Sequence, residues 1–252
     1  MSLTTGRAPL SPEPAGRFNP GLSSDTTYVE PFLRRVRGVL GQRTAIDSDR
    51  VLLVHRAGAP PTYAFPAEHV SGLPTRPEPA AAGYVQVAWD AVNAWYEEDQ
   101  QVFGHPMNPY HRIDCFQAKR RLRVEVADTL LVDTRDVVAL YETSRLPNLY
   151  VRRGAVQMDL LVPSSTTTYC PYKGTASHWT AIVGDTIVRD VAWSYDAPYP
   201  ESQPIARMLS FYPERVQMLQ EVPTWFPVPP PAGTPAPGDQ NGKDGKDGKP
   251  NE

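Results

Sequence analysis

At 252 residues, with 40% hydrophobic and 21% charged residues, the chain is long enough for one large or two small domains around a buried core. Its formal net charge of −3 is spread without a basic block, which excludes the clustered footprint of a nucleic-acid surface, and no stretch approaches the ~20 apolar residues of a membrane span. The N-terminus lacks the charged-then-apolar pattern of a signal peptide, so the expected location is cytoplasmic, with Cys115 and Cys170 kept as free thiols.

Residues 1–30 are rich in Pro, Gly, Ser and Thr without apolar periodicity and read as an extended N-terminal arm. Beyond it the sequence repeats. A slide of 86 residues aligns Arg35 with Arg121, Arg37 with Arg123, Asp47 with Asp133, Val51 with Val137, Pro61 with Pro147 and Val70 with Val156, and Val87-Ala88-Trp89 returns as Val191-Ala192-Trp193. The expected organisation is a shortened first β copy over 31–114 and a complete second copy over 115–227. By this alignment the first copy is 18 residues short, because Val70 to Trp89 spans 19 residues and Val156 to Trp193 spans 37. Residues 90–96 are expected to be helical, from Val92, Trp95 and Tyr96 after Asp90 as N-cap.

In the second copy, β-branched and aromatic runs at 121–126, 130–132, 137–142, 149–151, 156–162, 166–172, 176–183 and 186–189 predict an antiparallel meander. Ile205, Met208, Leu209 and Tyr212, after Pro204, predict a second short helix. Residues 228–252 run from a proline stretch into Gly-Lys-Asp repeats and are expected to be disordered.

The densest chemistry lies at Thr166 to Trp179, which gathers Cys170, Lys173, His178 and three aromatic rings. The chain has twenty Arg but five Lys, three of them in the tail, so Lys173 is one of two lysines in the body. If Lys173-Gly174-Thr175 forms a three-residue hairpin loop, paired residues sum to 348, Cys170 faces His178, and Thr168 faces Thr180. An adjacent imidazole could then take the thiol proton, with Lys173 holding an anion, whereas a one-residue slip would end the idea. Cys170 is also read as a small buried hydrophobe and His178 as a structural histidine. Tyr169, Tyr172, Trp179, Asp190, Trp193 and Tyr195 complete the candidate pocket. No metal is expected, since position 173 is Lys where a Cys-x-x-Cys pair would place its second ligand.

Arg121-Leu-Arg-Val-Glu-Val, Met158-Asp-Leu-Leu161, Cys170-Pro-Tyr-Lys-Gly-Thr-Ala-Ser-His-Trp179, Val191-Ala-Trp-Ser-Tyr195 and Phe211-Tyr212 together resemble the domain of unknown function 427 family of bacterial proteins. Tyr28-Val-Glu-Pro31 and Pro61-Thr-Tyr-Ala-Phe-Pro66 resemble the N-terminal half of its tandem members. The resemblance implies a mainly β fold of two tandem β-tent-like antiparallel copies, each with a short covering helix. It implies no established activity and no cofactor. The expected function is one small-molecule pocket in the second copy, with Cys170, His178 and Lys173 acting on a small carbonyl, acyl or anionic metabolite. A non-catalytic binding module and a structural protein are the alternatives, and in each the first copy packs on the second as an intramolecular pseudo-dimer, with no nucleic-acid or membrane partner.

Overall fold

The computed structural model describes residues 7–18, 20–23 and 25–221. The tail expected over 228–252 lies outside the described residues. Among these, every regular element longer than a 3-10 turn is a β-strand, and no helix is long and apolar enough to cross a membrane.

The first half contains β1 (Thr27–Phe32), β2 (Val36–Leu40), β3 (Arg43–Ser48), β4 (Val51–Arg56), β5 (Thr62–Pro66), β6 (Arg76–Pro77), β7 (Tyr84–Gln86), β8 (Ala94–Glu97) and β9 (Gln100–Val102). The second contains β10 (Ile113–Ala118), β11 (Leu122–Val126), β12 (Thr129–Thr134), β13 (Val137–Glu142), β14 (Asn148–Tyr150), β15 (Leu161–Cys170), β16 (Gly174–Val183), β17 (Thr186–Ser194), β18 (Leu209–Phe211) and β19 (Gln217–Gln220). They form five antiparallel sheets, ordered β1-β4-β5-β7-β6, β3-β2-β8-β9, β10-β13-β14, β12-β11-β19 and β15-β16-β17-β18. Period-2 alternation sets which face is buried: in β11, Leu122, Val124 and Val126 point inward between Arg123 and Glu125.

Strands β1 to β4 begin and end 86 residues before β10 to β13. The agreement extends to detail. A register shift at Gly38/Val39 recurs at Val124/Glu125, the two-bond Arg35–Asp47 pair recurs as Arg121–Asp133, and Ser71 N–H to Ala45 O (2.9 Å) recurs as Gln157 N–H to Leu131 O (2.8 Å). Val36 pairs with Glu97 where Leu122 pairs with Gln220. Each half encloses its own core, around Val36, Leu53, Phe65 and Trp95 in the first and around Leu122, Val124, Leu131 and Val151 in the second.

The Val-Ala-Trp match is not carried by the fold. Val191–Trp193 lies inside β17, whereas Val87–Trp89 follows β7, and the strand occupying the place of β7 is β18: Phe65 pairs with Val85, and Val151 bridges Leu209. Twenty residues separate the first pair and 58 the second. The stretch between these pairings is therefore 38 residues shorter in the first half, which has the two-residue β6 beside β7 where the second half has β17 beside β18, and no described strands in the position of β15 and β16.

Both expected covering helices are absent. Residues 94–97 form β8, with Trp95 and Glu97 buried and Ala94 and Tyr96 less so, because β2 needs a second partner for its backbone groups and the i, i+3, i+4 spacing yields to that pairing. Residues 205–212 also fail to make a helix: a 3-10 turn over Pro200–Ile205 ends at its C-cap Ala206, Arg207 follows with φ +60°, and Leu209–Phe211 joins β17 with all three residues buried. The strand expected from 156 starts at Leu161, after 3-10 turns at Arg153–Ala155 and Met158–Leu160.

Residues 7–18 turn back on the body rather than run free. Leu10 O accepts from Gly58 N–H (3.1 Å), Arg7 N–H donates to Ser144 O (3.3 Å), and Ala8, Leu10 and Ser11 are buried. Gly58 and Ser144 are themselves 86 residues apart, so this segment spans equivalent β-turns of the two halves.

Candidate functional site

The β15–β16 hairpin closes differently from the expectation. Lys173 N–H donates to Cys170 O (3.3 Å), so Cys170-Pro171-Tyr172-Lys173 is a β-turn with Pro in its favoured second position. Gly174, at φ +95°, follows the three-residue loop Pro171–Lys173 in the left-handed region and opens β16. Opposed residues therefore sum to 344: Cys170 faces Gly174, and Thr168 faces Ala176. Cys170 and His178 share a face of the sheet but stand four residues apart along it, roughly 13 Å. The expected thiol–imidazole pair is not formed. Gly174 sits at the end of the loop, not its centre, and that moves the register.

His178 is buried against the opposite end of the same face. One ring nitrogen meets Thr166 O (3.2 Å), the other the Tyr212 hydroxyl (3.1 Å), and the two rings lie parallel at 6.0 Å. Trp193 packs on Tyr212 (4.4 Å) and donates its indole N–H to Tyr150 Oη (2.9 Å). Asp190, at φ +53°, accepts from Thr166 Oγ1 (3.0 Å), and the hydroxyls of Ser164 and Thr166 hold its carboxyl below the usual range. Trp179 faces the other way, donates to Ser194 Oγ (3.1 Å) and carries the Arg153 guanidinium over its ring. Tyr195 is buried in the core beneath Cys170, and Tyr169 shares a hydroxyl bond with Tyr199 (3.0 Å) while meeting Phe103 edge-on. The strand residues among the nine predicted thus divide between two faces of one sheet, while Tyr172 and Lys173 lie in its turn.

Lys173 is not the solvated hairpin tip that its position suggests. Its side chain is 9% exposed and Nζ is ion-paired to Glu142 Oε2 of β13, whose other oxygen bonds His111 Nε2 (3.1 Å). Tyr172 stacks on the His111 ring at 3.6 Å, nearly parallel. Burial raises the Glu142 carboxyl, but the His111 bond and the Lys173 charge outweigh it and bring the group down to about 2. Glu142 is therefore an anion throughout the neutral range, held between two donors. Burial acts without such relief on Tyr172 and lifts its hydroxyl to about 12, against the Asn108 N–H bond that favours the phenolate.

His111 and Tyr172 of this network line a cleft of about 620 Å³ between the hairpin turn, the 107–114 segment, residues 199–201 and the side of the first half at Arg34 and Gln100. Asn108 is 4% exposed in its wall: its N–H donates to Tyr172 Oη (3.1 Å) and its Oδ1 accepts from Tyr110 N–H (2.9 Å), while Nδ2 is buried with no partner. The Tyr172 O–H proton likewise meets no acceptor among the described residues. Two residues of one cleft wall thus each keep an unspent donor, which is unusual for buried polar groups.

Glu142, His111 and Asn108 escaped the sequence reading. A signal existed for Glu142, since it continues the inward set Val138 and Leu140 in period 2 and so had to bury a charge that needed a cation. His111 and Asn108 lie in a Pro-rich connector without periodicity, where nothing local points to the hairpin. Among the described residues no group of three or more His, Cys, Asp or Glu is placed to hold a metal ion.

Fold and site together define an antiparallel β protein whose second half carries an extended hairpin docked by its turn on a buried carboxylate. The family model described as a domain of unknown function (DUF427) matches residues 114–222, that is, the second half from β10 through β19. No curated protein matches the chain. Glu142, Tyr172 and Lys173 lie inside the matched segment, and Asn108 and His111 just before it.

Proposed function

We propose that the chain is a small-molecule binding module built from two tandem copies of one β unit, with its site in the cleft where the connector between the copies meets the Pro171–Lys173 turn. The observation that carries the reading is the buried, unpartnered Nδ2 of Asn108, a residue of the cleft wall whose backbone N–H holds the Tyr172 hydroxyl. An amide donor buried without an acceptor costs about 1–3 kcal/mol, which a ligand carbonyl would recover once the Asn108 side chain turns toward the cleft. The favoured ligand is a small ring compound bearing a carbonyl, its oxygen taken by Asn108 and Tyr172. Lys173 and Glu142 act as a fixed pair that positions the turn, and Cys170 has no base beside it for nucleophilic work.

The two-copy reading is supported by the 86-residue recurrence of strands, bulge and Arg–Asp pair, and the pseudo-dimer reading by contacts across the junction such as Phe103 with Tyr169 and Asn108 with Tyr172. In this view the first copy lost its hairpin, and the connector that follows it supplies the donor to the hairpin the second copy kept.

The test is NMR with neutral aromatic amides, nicotinamide first, following the Asn108 side-chain amide. Binding should move that signal, and Tyr172→Phe, which removes one oxygen, should weaken binding about tenfold. Amides that leave the Asn108 signal in place, or bind Tyr172→Phe equally well, would sink the proposal.

A further inference from the structure

The histidines of the chain differ in how their ring nitrogens are used. His69 and His178 spend both, and His105 ties Nδ1 to Pro106 O with no carboxylate behind the ring. His55 is held at Nε2 by Glu30 (3.0 Å), but its Nδ1 is sealed from solvent. His111 joins the two features that the others separate. Its side chain is only 6% exposed, Nε2 meets Glu142 Oε1 (3.1 Å), and the Tyr172 ring covers one face at 3.6 Å. Nδ1 bonds no described residue and is not sealed, so it is the open edge of the ring on the cleft that His111 lines. Glu142 is an anion and can only accept, so Nε2 carries the hydrogen and the neutral ring presents a lone pair at Nδ1. A carboxylate that fixes an imidazole in one tautomer, and steadies the imidazolium formed when the free nitrogen takes a proton, makes a general base.

We propose that the cleft catalyses enolisation of a small cyclic ketone, with His111 Nδ1 as the base. The inference rests on the cleft being the ligand site and adds a reaction to it. The ketone oxygen lies on the Tyr172 hydroxyl and the Asn108 amide. His111 Nδ1 takes a proton from the neighbouring carbon, the electrons of that C–H bond form the C=C bond, and the carbonyl π pair moves to oxygen. Return of the same proton to the oxygen gives the enol, and return to carbon restores the ketone, so no oxidant or second reactant is consumed. Burial lifts the Tyr172 hydroxyl to about 12, so it stays protonated through the neutral range and donates to the oxygen as negative charge develops there. Glu142 touches no reacting atom; it positions His111, and Lys173 on its other oxygen fixes its place.

The probe is 2-indanone in D₂O with the full chain, its loss of α-hydrogen signal followed by NMR against the same concentration of free imidazole. The parent should exchange at least tenfold faster than imidazole, in a saturable manner, and saturating nicotinamide should suppress the exchange. His111→Gln, which can still donate to Glu142, should lose about a hundredfold in rate while nicotinamide still moves the Asn108 amide signal. His69→Gln, which removes an imidazole elsewhere, should change nothing. If His111→Gln does not fold, saturation and suppression in the parent decide the matter alone. The proposal is overturned, with the binding reading intact, if nicotinamide moves the Asn108 signal but the parent exchanges no faster than imidazole, or if folded His111→Gln exchanges as the parent does. Exchange that nicotinamide leaves running would place the base outside the cleft and overturn it equally. Neither exchange nor any response of Asn108 to the amides would sink both.

Discussion

Lys173 and Glu142 show how a single residue's neighbours decide its meaning. A lysine at a hairpin tip is by default solvated, yet here Nζ is enclosed because the turn lies over the inward end of β13. Removing one member of such a buried pair leaves the other charge unmatched, so Glu142→Gln should destabilise the chain by about 3–5 kcal/mol. The double variant Lys173→Met/Glu142→Leu should regain most of that loss, because two apolar groups ask for no partner. Urea unfolding with an unchanged slope reads both. The pH dependence follows from the same residue. The Glu142 carboxyl is depressed from its ordinary 4.5 to about 2, so its contribution is complete above about 4.5 and disappears as the pH falls toward 2. Glu142→Gln should therefore flatten the acid limb of the stability curve across that window. A steep acid limb surviving in the variant would mean that other carboxylates govern it.

Strands carried a readable signal where alternation agreed with pairing. The expected runs at 137–142 and 176–183 fall within β13 and β16, because each alternates or fills a fully covered position. The helices were misread because Val92-Trp95-Tyr96 and Ile205-Leu209-Tyr212 have helical spacing by coincidence, and open strand edges at β2 and β17 claimed those segments. The hairpin was half legible: its place and glycine were clear, but whether Gly174 sits inside the three-residue loop or closes it decides the register, and sequence alone gives both. The β11–β12 turn provides a test of turn chemistry. Its two loop residues, Ala127 (φ +47°) and Asp128 (φ +60°), adopt the left-handed pair of a type I′ turn that Asn-Gly prefers, whereas the matching turn in the first half has only Gly41 (φ +63°) in that region. Ala127→Asn/Asp128→Gly should stabilise the chain by about 1 kcal/mol and raise the melting temperature by about 3 °C. A lower melting temperature would mean that the Ala127 and Asp128 side chains hold the turn in a way the dihedral angles do not reveal.

At the scale of the whole molecule, the two halves have separate cores, so what joins them is a small set of polar and aromatic contacts rather than continuous packing. Tyr172 is central to that set: it stacks on His111, approaches His105 at 6.1 Å and accepts the Asn108 N–H, all from the 103–112 connector. The sequence repeat gave an expectation of two units and no sign of the residues of this junction, because they come from an aperiodic connector and from the hairpin turn. Tyr172→Ala should therefore loosen the junction selectively. Amide exchange at Asn108 should accelerate by at least tenfold, since its N–H loses its acceptor, while β2–β8 in the first half and β11–β19 in the second keep their protection because their ladders do not involve Tyr172. Exchange that speeds equally in both cores would show that the halves unfold as one unit through this contact. Unchanged exchange at Asn108 would show that the backbone of the connector is held by something other than the ring beneath it.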